Sequence, residues 1–264
     1  MDRRRPFAVE ISGSAISGKL HWPHLRDEAG PAAVVLLCNG LLAVNKKTEV
    51  LCARIIESLT QAGLAVAEYS ARRSDLPVQS NHQHSTAQMI DDASAVLRWL
   101  MLRDELDLKR VGVLGYSFGA IVAACLARRT DQIARLCLLA PVPAAVVLSA
   151  AQRTDGSALL TALGLEGVTE GFFTDLGSLD PMHDAAVHDR PTLILHGAAD
   201  DDVPPELSFA YSDAIELADH VAQHTLVAHA DHFFEDDPSR TACLAQVSEF
   251  FSAMRDGSSS KNGT

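Results

Sequence analysis

Residues 111–127 read VGVLGYSFGAIVAACLA, an apolar strand-like run, a G-x-S-x-G pentapeptide and a helix-like run of small apolar residues with no spacer between them. A chain that passes from strand to helix within one residue must hold Ser117 at strained backbone angles. Gly115 and Gly119, two positions to either side, remove the Cβ atoms that would collide as the two elements converge. The turn is expected to leave the Ser117 hydroxyl exposed above the sheet edge. The first turn of the following helix aims free N–H groups, that of Phe118 among them, at any oxyanion formed beside it. A plain glycine-rich turn would show the same five residues, so the partners elsewhere in the chain decide between the two.

The remaining sequence alternates apolar strands with helical spacing. Phe7 to Ile11 and Ala15 to Trp22 read as a hairpin around Ser12-Gly13-Ser14. Ala32 to Cys38, AAVVLLC, is a continuous apolar run, as expected of a strand buried on both faces. Thr48 to Ala62 has helical spacing, with Val50, Leu51, Ile55 and Leu59 on one side. Leu64 to Tyr69 is a strand, and Thr86 to Leu102 a helix capped by Ser85 or Thr86. Further strands are expected at Ile133 to Ala140, Pro191 to His196 and Thr225 to Ala228, with helices at Glu206 to Leu217 and Asp237 to Met254. Such alternation predicts an α/β protein with a mostly parallel sheet covered on both faces. In such sheets reactive groups gather at the carboxyl ends of the strands.

Between Pro141 and Arg190 the alternation lapses for about fifty residues, too many for an ordinary connection. Leu159, Leu160, Leu163, Leu165, Phe172 and Phe173 lie in it, and we expect a small helical cap at about residues 142–188, inserted before the strand near 192–196. No internal repeat or linker divides the 264 residues, so one domain, 1–264, is expected, with a disordered Ser-rich tail at 256–264.

A formal net charge of −12 opposes nucleic acid or anionic lipid as partner. No apolar run reaches the length of a membrane span, and Val9-Glu10-Ile11-Ser12 stands where a secretory apolar stretch would be. Five cysteines, an odd number lying mostly in apolar runs, fit buried thiols in a reducing cytoplasm better than a disulfide framework. Cys125 and Cys137 read as core.

Two loops past strand ends supply what a nucleophilic serine needs. After the strand ending at His196 comes Gly197-Ala198-Ala199-Asp200-Asp201-Asp202-Val203-Pro204, and after the last strand comes Ala230-Asp231-His232-Phe233. Serine requires a neutral imidazole to take its proton, and the imidazole requires a carboxylate to fix its tautomer. His232 is the base; spacing alone does not choose among Asp200, Asp201 and Asp202. Asp231, adjacent to the histidine in sequence, is expected to point elsewhere. A second oxyanion donor is expected from Asn39-Gly40-Leu41-Leu42, with the N–H of Leu41 chosen. His82-Gln83-His84 and the pair His220 and His224 lack a third ligand at zinc-like spacing, so neither a metal nor another cofactor is expected. His82 and His84 read as solvated loop residues, with lining of the mouth of a site as the alternative.

These residues resemble the α/β-hydrolase superfamily from about Phe7 to Met254, and within it the cinnamoyl or feruloyl esterase and serine aminopeptidase-like branch. Gly115-Tyr116-Ser117-Phe118-Gly119 is similar to the family's nucleophile elbow, and the order serine, aspartate, histidine is the family's order. His196-Gly197-Ala198-Ala199-Asp200 with Val203-Pro204 is similar to H-G-x-x-D-x-x-V-P, which selects Asp200; Ala230-Asp231-His232-Phe233 is similar to G-x-H-x-F. Two departures are Asn39-Gly40, where relatives carry His-Gly, and Tyr69-Ser70-Ala71-Arg72-Arg73-Ser74-Asp75, which lacks the glycines of D-x-R-G-x-G-x-S. The resemblance implies a carboxylic ester hydrolase acting on a small to medium acyl substrate through an acyl-enzyme on Ser117. An acyl thioesterase or a small-substrate peptidase would use the same residues, and a non-catalytic binding protein of the same fold is the alternative from another class.

Overall fold

The computed structural model describes residues 3–11, 13–24, 30–39, 46–70, 85–153 and 170–255. Strands β1 (Arg4–Ile11) and β2 (Ser14–His21) form the expected antiparallel hairpin. Then follow β3 (Ala32–Cys38), β4 (Ala65–Tyr69), β5 (Leu106–Tyr116), β6 (Ile133–Leu139), β7 (Thr192–Gly197) and β8 (Ala222–Val227). They form one sheet in the order β1-β2-β4-β3-β5-β6-β7-β8. Its β2–β4 pairing is antiparallel, and from β4 to β8 every pairing is parallel. The strands that end next to the expected site, β5, β7 and β8, thus point their carboxyl ends to the same edge.

The continuous apolar runs are explained by helices on both faces. Helices α1 (Lys46–Gln61) and α8 (Asp237–Ser252) cover one face, where Leu51, Ile55, Val247 and Phe251 meet Val35, Leu37, Leu114 and Leu195. Helices α2 (Thr86–Leu100) and α3 (Gly119–Arg128) cover the other, with Ile90, Val96, Ile121 and Val122 against Val34, Leu36, Val113 and Ile194. Side chains alternate along each strand, so Val34 and Val35 feed different layers. Each such residue, withdrawn from water, contributes roughly 1.5–3 kcal/mol to the core. Helix α7 (Glu206–Leu217) joins the second layer through Tyr211 and Ile215.

Several boundaries differ from the sequence reading. Ser85 caps α2, its side chain accepting from the Gln88 N–H at 3.0 Å, but the helix ends at Leu100 and leaves Leu102 exposed. Val50 is also exposed, because α1 buries Leu51, Ile55 and Leu59 and turns the adjacent position outward. Strand β5 begins at Leu106, well before the apolar run, since it pairs with β3 from Ala32 onward through a register shift.

Between β6 and β7 the described residues form α4 (Ala144–Gln152), α5 (Glu170–Gly177) and α6 (Pro181–Ala186). Phe172 of α5 is buried, its ring 5.5 Å from that of Phe118. Leu159, Leu160, Leu163 and Leu165 lie outside the described residues, as do Leu41, Arg72, Arg73, His82, His84 and the tail. All five cysteines are buried and free. Burial pushes the thiols of Cys38, Cys52 and Cys243 up to about 12, so they stay protonated near neutral pH. No helix among the described residues is long and apolar enough to cross a membrane.

Candidate active site

Ser117 stands between the end of β5 and the start of α3 with φ of 56°, the left-handed region that the sharp turn demands. The turn is locked from both sides. The Ser117 N–H donates to Leu139 O at 2.8 Å, and its carbonyl accepts from the Ala120 N–H at 2.9 Å. A Cβ at Gly115 would stand 2.4 Å from Gly119 O, and one at Gly119 would stand 2.0 Å from Cys38 O. Only hydrogens fit there.

The two loops that carry Asp200 and His232 are zipped together. Ala198 N–H donates to Val227 O at 2.8 Å and Ala199 N–H to Ala230 O at 2.9 Å. Gly197 makes that approach possible, since a Cβ there would lie 2.4 Å from Ala230 O. His229 and Phe234, at φ of 61° and 51°, bracket the histidine with two left-handed residues. Such angles persist only where surrounding contacts fix them.

The assembled geometry brings three of the expected residues together. Asp200 Oδ2 is 2.7 Å from His232 Nδ1, and His232 Nε2 is 3.0 Å from Ser117 Oγ. A carboxylate only accepts, so Nδ1 carries the hydrogen and the Nε2 lone pair faces the serine hydroxyl. Asp201 and Asp202 are exposed, and Asp231 turns to accept from the Glu235 N–H at 2.9 Å. His224 lies 2.9 Å from the Ser208 hydroxyl. Phe118 caps α3, and no described residue accepts its N–H. Leu41, expected as the second oxyanion donor, lies outside the described residues.

The prolyl oligopeptidase family matches the chain over residues 54–257, which include all three of these side chains. The chain belongs to that family. An uncharacterised protein of Mycobacterium tuberculosis is 29% identical over 211 residues, 77% of this chain and 64% of that protein. The chain thus spans less than two thirds of the length of the curated relatives it matches. Among solved structures, Est1E from Butyrivibrio proteoclasticus with ferulic acid bound superposes with a TM-score of 0.77 at 16% identity, over 95% of this chain and 99% of that one. An acylaminoacyl peptidase from Pyrococcus horikoshii gives 0.70 at 15% identity, over 99% of this chain and 43% of that one. At these identities the likeness is one of fold, the α/β-hydrolase fold.

This member of the prolyl oligopeptidase family buries its polar centre. Ser117 has no exposed surface, against the exposed hydroxyl expected of a strand-end turn. His232 lies against the hydroxyl, and the Phe172 ring sits on the neighbouring Phe118, so the end of the sheet is occupied rather than open.

Two residues without an assigned role in the sequence reading hold the site. Tyr116 donates its hydroxyl to His232 O at 3.0 Å, with its ring centroid 5.3 Å from the imidazole. His196, the last side chain of β7 before Gly197, places Nε2 3.1 Å from Asp200 Oδ2. Both lie inside motifs that were legible, but only the distances assign them partners.

Asp200 is nearly saturated with donors. Its Oδ1 accepts from the N–H groups of Asp202 and Val203 at 3.0 and 2.7 Å. Burial by itself raises the carboxyl; the hydrogen bonds from His196 and His232, the His232 charge and the Val203 N–H outweigh it and hold it at about 2. A depressed carboxyl stabilises the fold above its unfolded value, near 4, and that contribution disappears as the pH falls through about 2. Urea unfolding of wild type and Asp200→Asn from pH 5 to pH 2 is expected to show an advantage of about 2 kcal/mol for the carboxylate that shrinks below pH 4. A difference independent of pH over that range would refute the assignment.

Proposed function

We propose that this chain is a serine hydrolase that cleaves a carboxylic ester through an acyl-enzyme on Ser117. In this reading His232 Nε2 takes the hydroxyl proton as Ser117 Oγ attacks the carbonyl carbon. The tetrahedral oxyanion is held by the N–H of Phe118 and, from the β3 loop, that of Leu41. His232 then returns the proton to the leaving oxygen as the C–O bond breaks. Water, activated by the same imidazole, releases the acid and restores Ser117. Asp200 keeps the imidazole in the tautomer that leaves Nε2 free, and no metal or other cofactor enters any step.

The reading is carried by the unbroken chain Ser117 Oγ, His232 Nε2, His232 Nδ1, Asp200 Oδ2, with contacts of 3.0 and 2.7 Å at a left-handed serine. A protein that only bound its ligand would have no use for all three. A fluorophosphonate probe that modifies Ser117 supports the reading; an unlabelled wild type sinks it.

The family match favours a second substrate class with the same chemistry, small peptides or aminoacyl amides, and thioesters share the same tetrahedral intermediate. Parallel assays on p-nitrophenyl esters, acyl thioesters and aminoacyl amides separate them. Phe172 and Phe173, 5.5 Å apart and edge to face, stand beside Phe118 and favour an apolar acyl group. We therefore expect the butyryl p-nitrophenyl ester to exceed the acetyl ester in kcat/KM by about tenfold, as each of its two further methylenes contributes about 0.8 kcal/mol when buried. A steady loss with chain length would remove the apolar acyl site.

A further inference from the structure

We propose that His196 is a positioning residue for Asp200, donating its Nε2–H to the same carboxylate oxygen that faces His232 and thereby setting how much charge that oxygen presents to the imidazole. The inference rests on the reading of Ser117, His232 and Asp200 given above.

Two acceptors surround the same nitrogen of His196, Asp200 Oδ2 at 3.1 Å and Val203 O at 2.9 Å. Neither can donate, so Nε2 carries the hydrogen and shares it between them. The other ring nitrogen, Nδ1, is buried without a partner. A leucine of similar bulk would leave no such orphan, so packing alone gives no reason for an imidazole at this fully buried position. The ring tolerates one unsatisfied atom in order to hold Nε2 in place.

The arrangement closes a small ring of hydrogen bonds. Val203 N–H donates to Asp200 Oδ1 while Val203 O accepts from His196, so the imidazole braces the loop at both ends. With Oδ2 shared between His196 and His232 and Oδ1 occupied by two backbone donors, the carboxylate cannot rotate. Sharing also draws negative charge away from the His232 side of Oδ2. Without the His196 donor, Oδ2 would stabilise the His232 imidazolium more strongly, and Nε2 would be blocked by a proton at higher pH.

The titratable groups facing this pair are His232 in the loop after β8, Tyr116 on β5 and His224 on β8. Asp201 and Asp202 in its own loop, Asp231 beside His232, and Lys47 of α1 with its partner Glu235 are further charged groups nearby among the described residues. None of them changes on substitution at 196, so a difference between variants reports on the His196 contact.

The test compares His196→Gln with His196→Asn. The glutamine amide nitrogen reaches the place of Nε2 and can still donate to Asp200; the shorter asparagine reaches only the place of Nδ1 and cannot. Rates of fluorophosphonate inactivation and of p-nitrophenyl butyrate hydrolysis are measured from pH 5 to 9 on both variants and wild type. We expect His196→Asn to lower the inactivation rate and kcat by about tenfold to hundredfold, with KM within about twofold, since a small displacement of an orienting group costs that much. Its acid limb should move up by about half a pH unit. His196→Gln should stay within about threefold of wild type and keep the wild-type limb. If wild type is labelled and the two variants are indistinguishable in rate and limb, the inference falls while the reading of the site stands. An unlabelled wild type overturns both.

Discussion

Replacing Ser117 by alanine is expected to abolish fluorophosphonate labelling and to lower ester turnover by about 10⁴- to 10⁶-fold, the loss typical when the nucleophile of a serine hydrolase is removed. The expectation follows from the position of the hydroxyl. Among the described residues it is the hydroxyl that stands 3.0 Å from His232 Nε2, and the left-handed turn fixes it there. Any remaining turnover would come from binding and the oxyanion donors alone. Stability should hardly change, because alanine keeps a Cβ and the two backbone hydrogen bonds that lock the turn, to Leu139 O and from Ala120 N–H, are untouched. The urea midpoint should therefore match wild type while intact-mass labelling disappears. A Ser117→Ala protein that still accepts the probe would place the nucleophile elsewhere, and the proposed function would be lost.

The largest effect on folding is expected at Gly119. A Cβ there would stand 2.0 Å from Cys38 O, 2.8 Å from Cys38 C and 3.0 Å from Asn39 C. All three are backbone atoms at the end of a central strand, so no side chain can swing aside to make room. Either α3 lifts from the sheet or β3 shifts against β5, and both elements carry buried core residues. We expect Gly119→Ala to cost on the order of 3–5 kcal/mol, a large part of the 5–15 kcal/mol by which a domain of this kind is folded. Gly177→Ala is the control. Its Cβ would find its nearest neighbour, Leu148 Cδ1, at 3.8 Å, an ordinary contact, and should alter stability by less than about 1 kcal/mol. Urea unfolding of the two variants measures the contrast, and equal midpoints would show that the close approach of α3 to β3 is not as tight as the geometry has it.

Legibility along the sequence followed burial. Ala32 to Cys38 and Ile133 to Leu139 were readable as strands because both of their faces are covered, which leaves no polar position to confuse the pattern. Edges were not. Strand β8 begins at Ala222, three residues before its expected start, because Ala222, Gln223 and His224 lie at the margin of the sheet, where partial exposure erases the apolar signal. The amino-terminal half of β5 escaped for a like reason, as its Asp107 and Arg110 pair with each other at the surface. Val50 misled because an apolar residue beside a helical stripe looks like part of it until a neighbour is there to cover it.

The sequence by itself determined the strand, turn and helix around Ser117, the order of serine, aspartate and histidine, and the strand ends on which they fall. These follow from local periodicity and from backbone angles that few residues tolerate, both of which are written in the chain one neighbour at a time. Spacing could not choose among Asp200, Asp201 and Asp202, nor assign partners to Tyr116 and His196, nor foresee that the Ser117 hydroxyl would be buried. Those outcomes depend on distances of about 3 Å between residues far apart in the chain, 115 positions in the case of His232 and Ser117. Only the assembled order β5-β6-β7-β8, with its two loops zipped at Gly197, brings such groups within hydrogen-bonding reach.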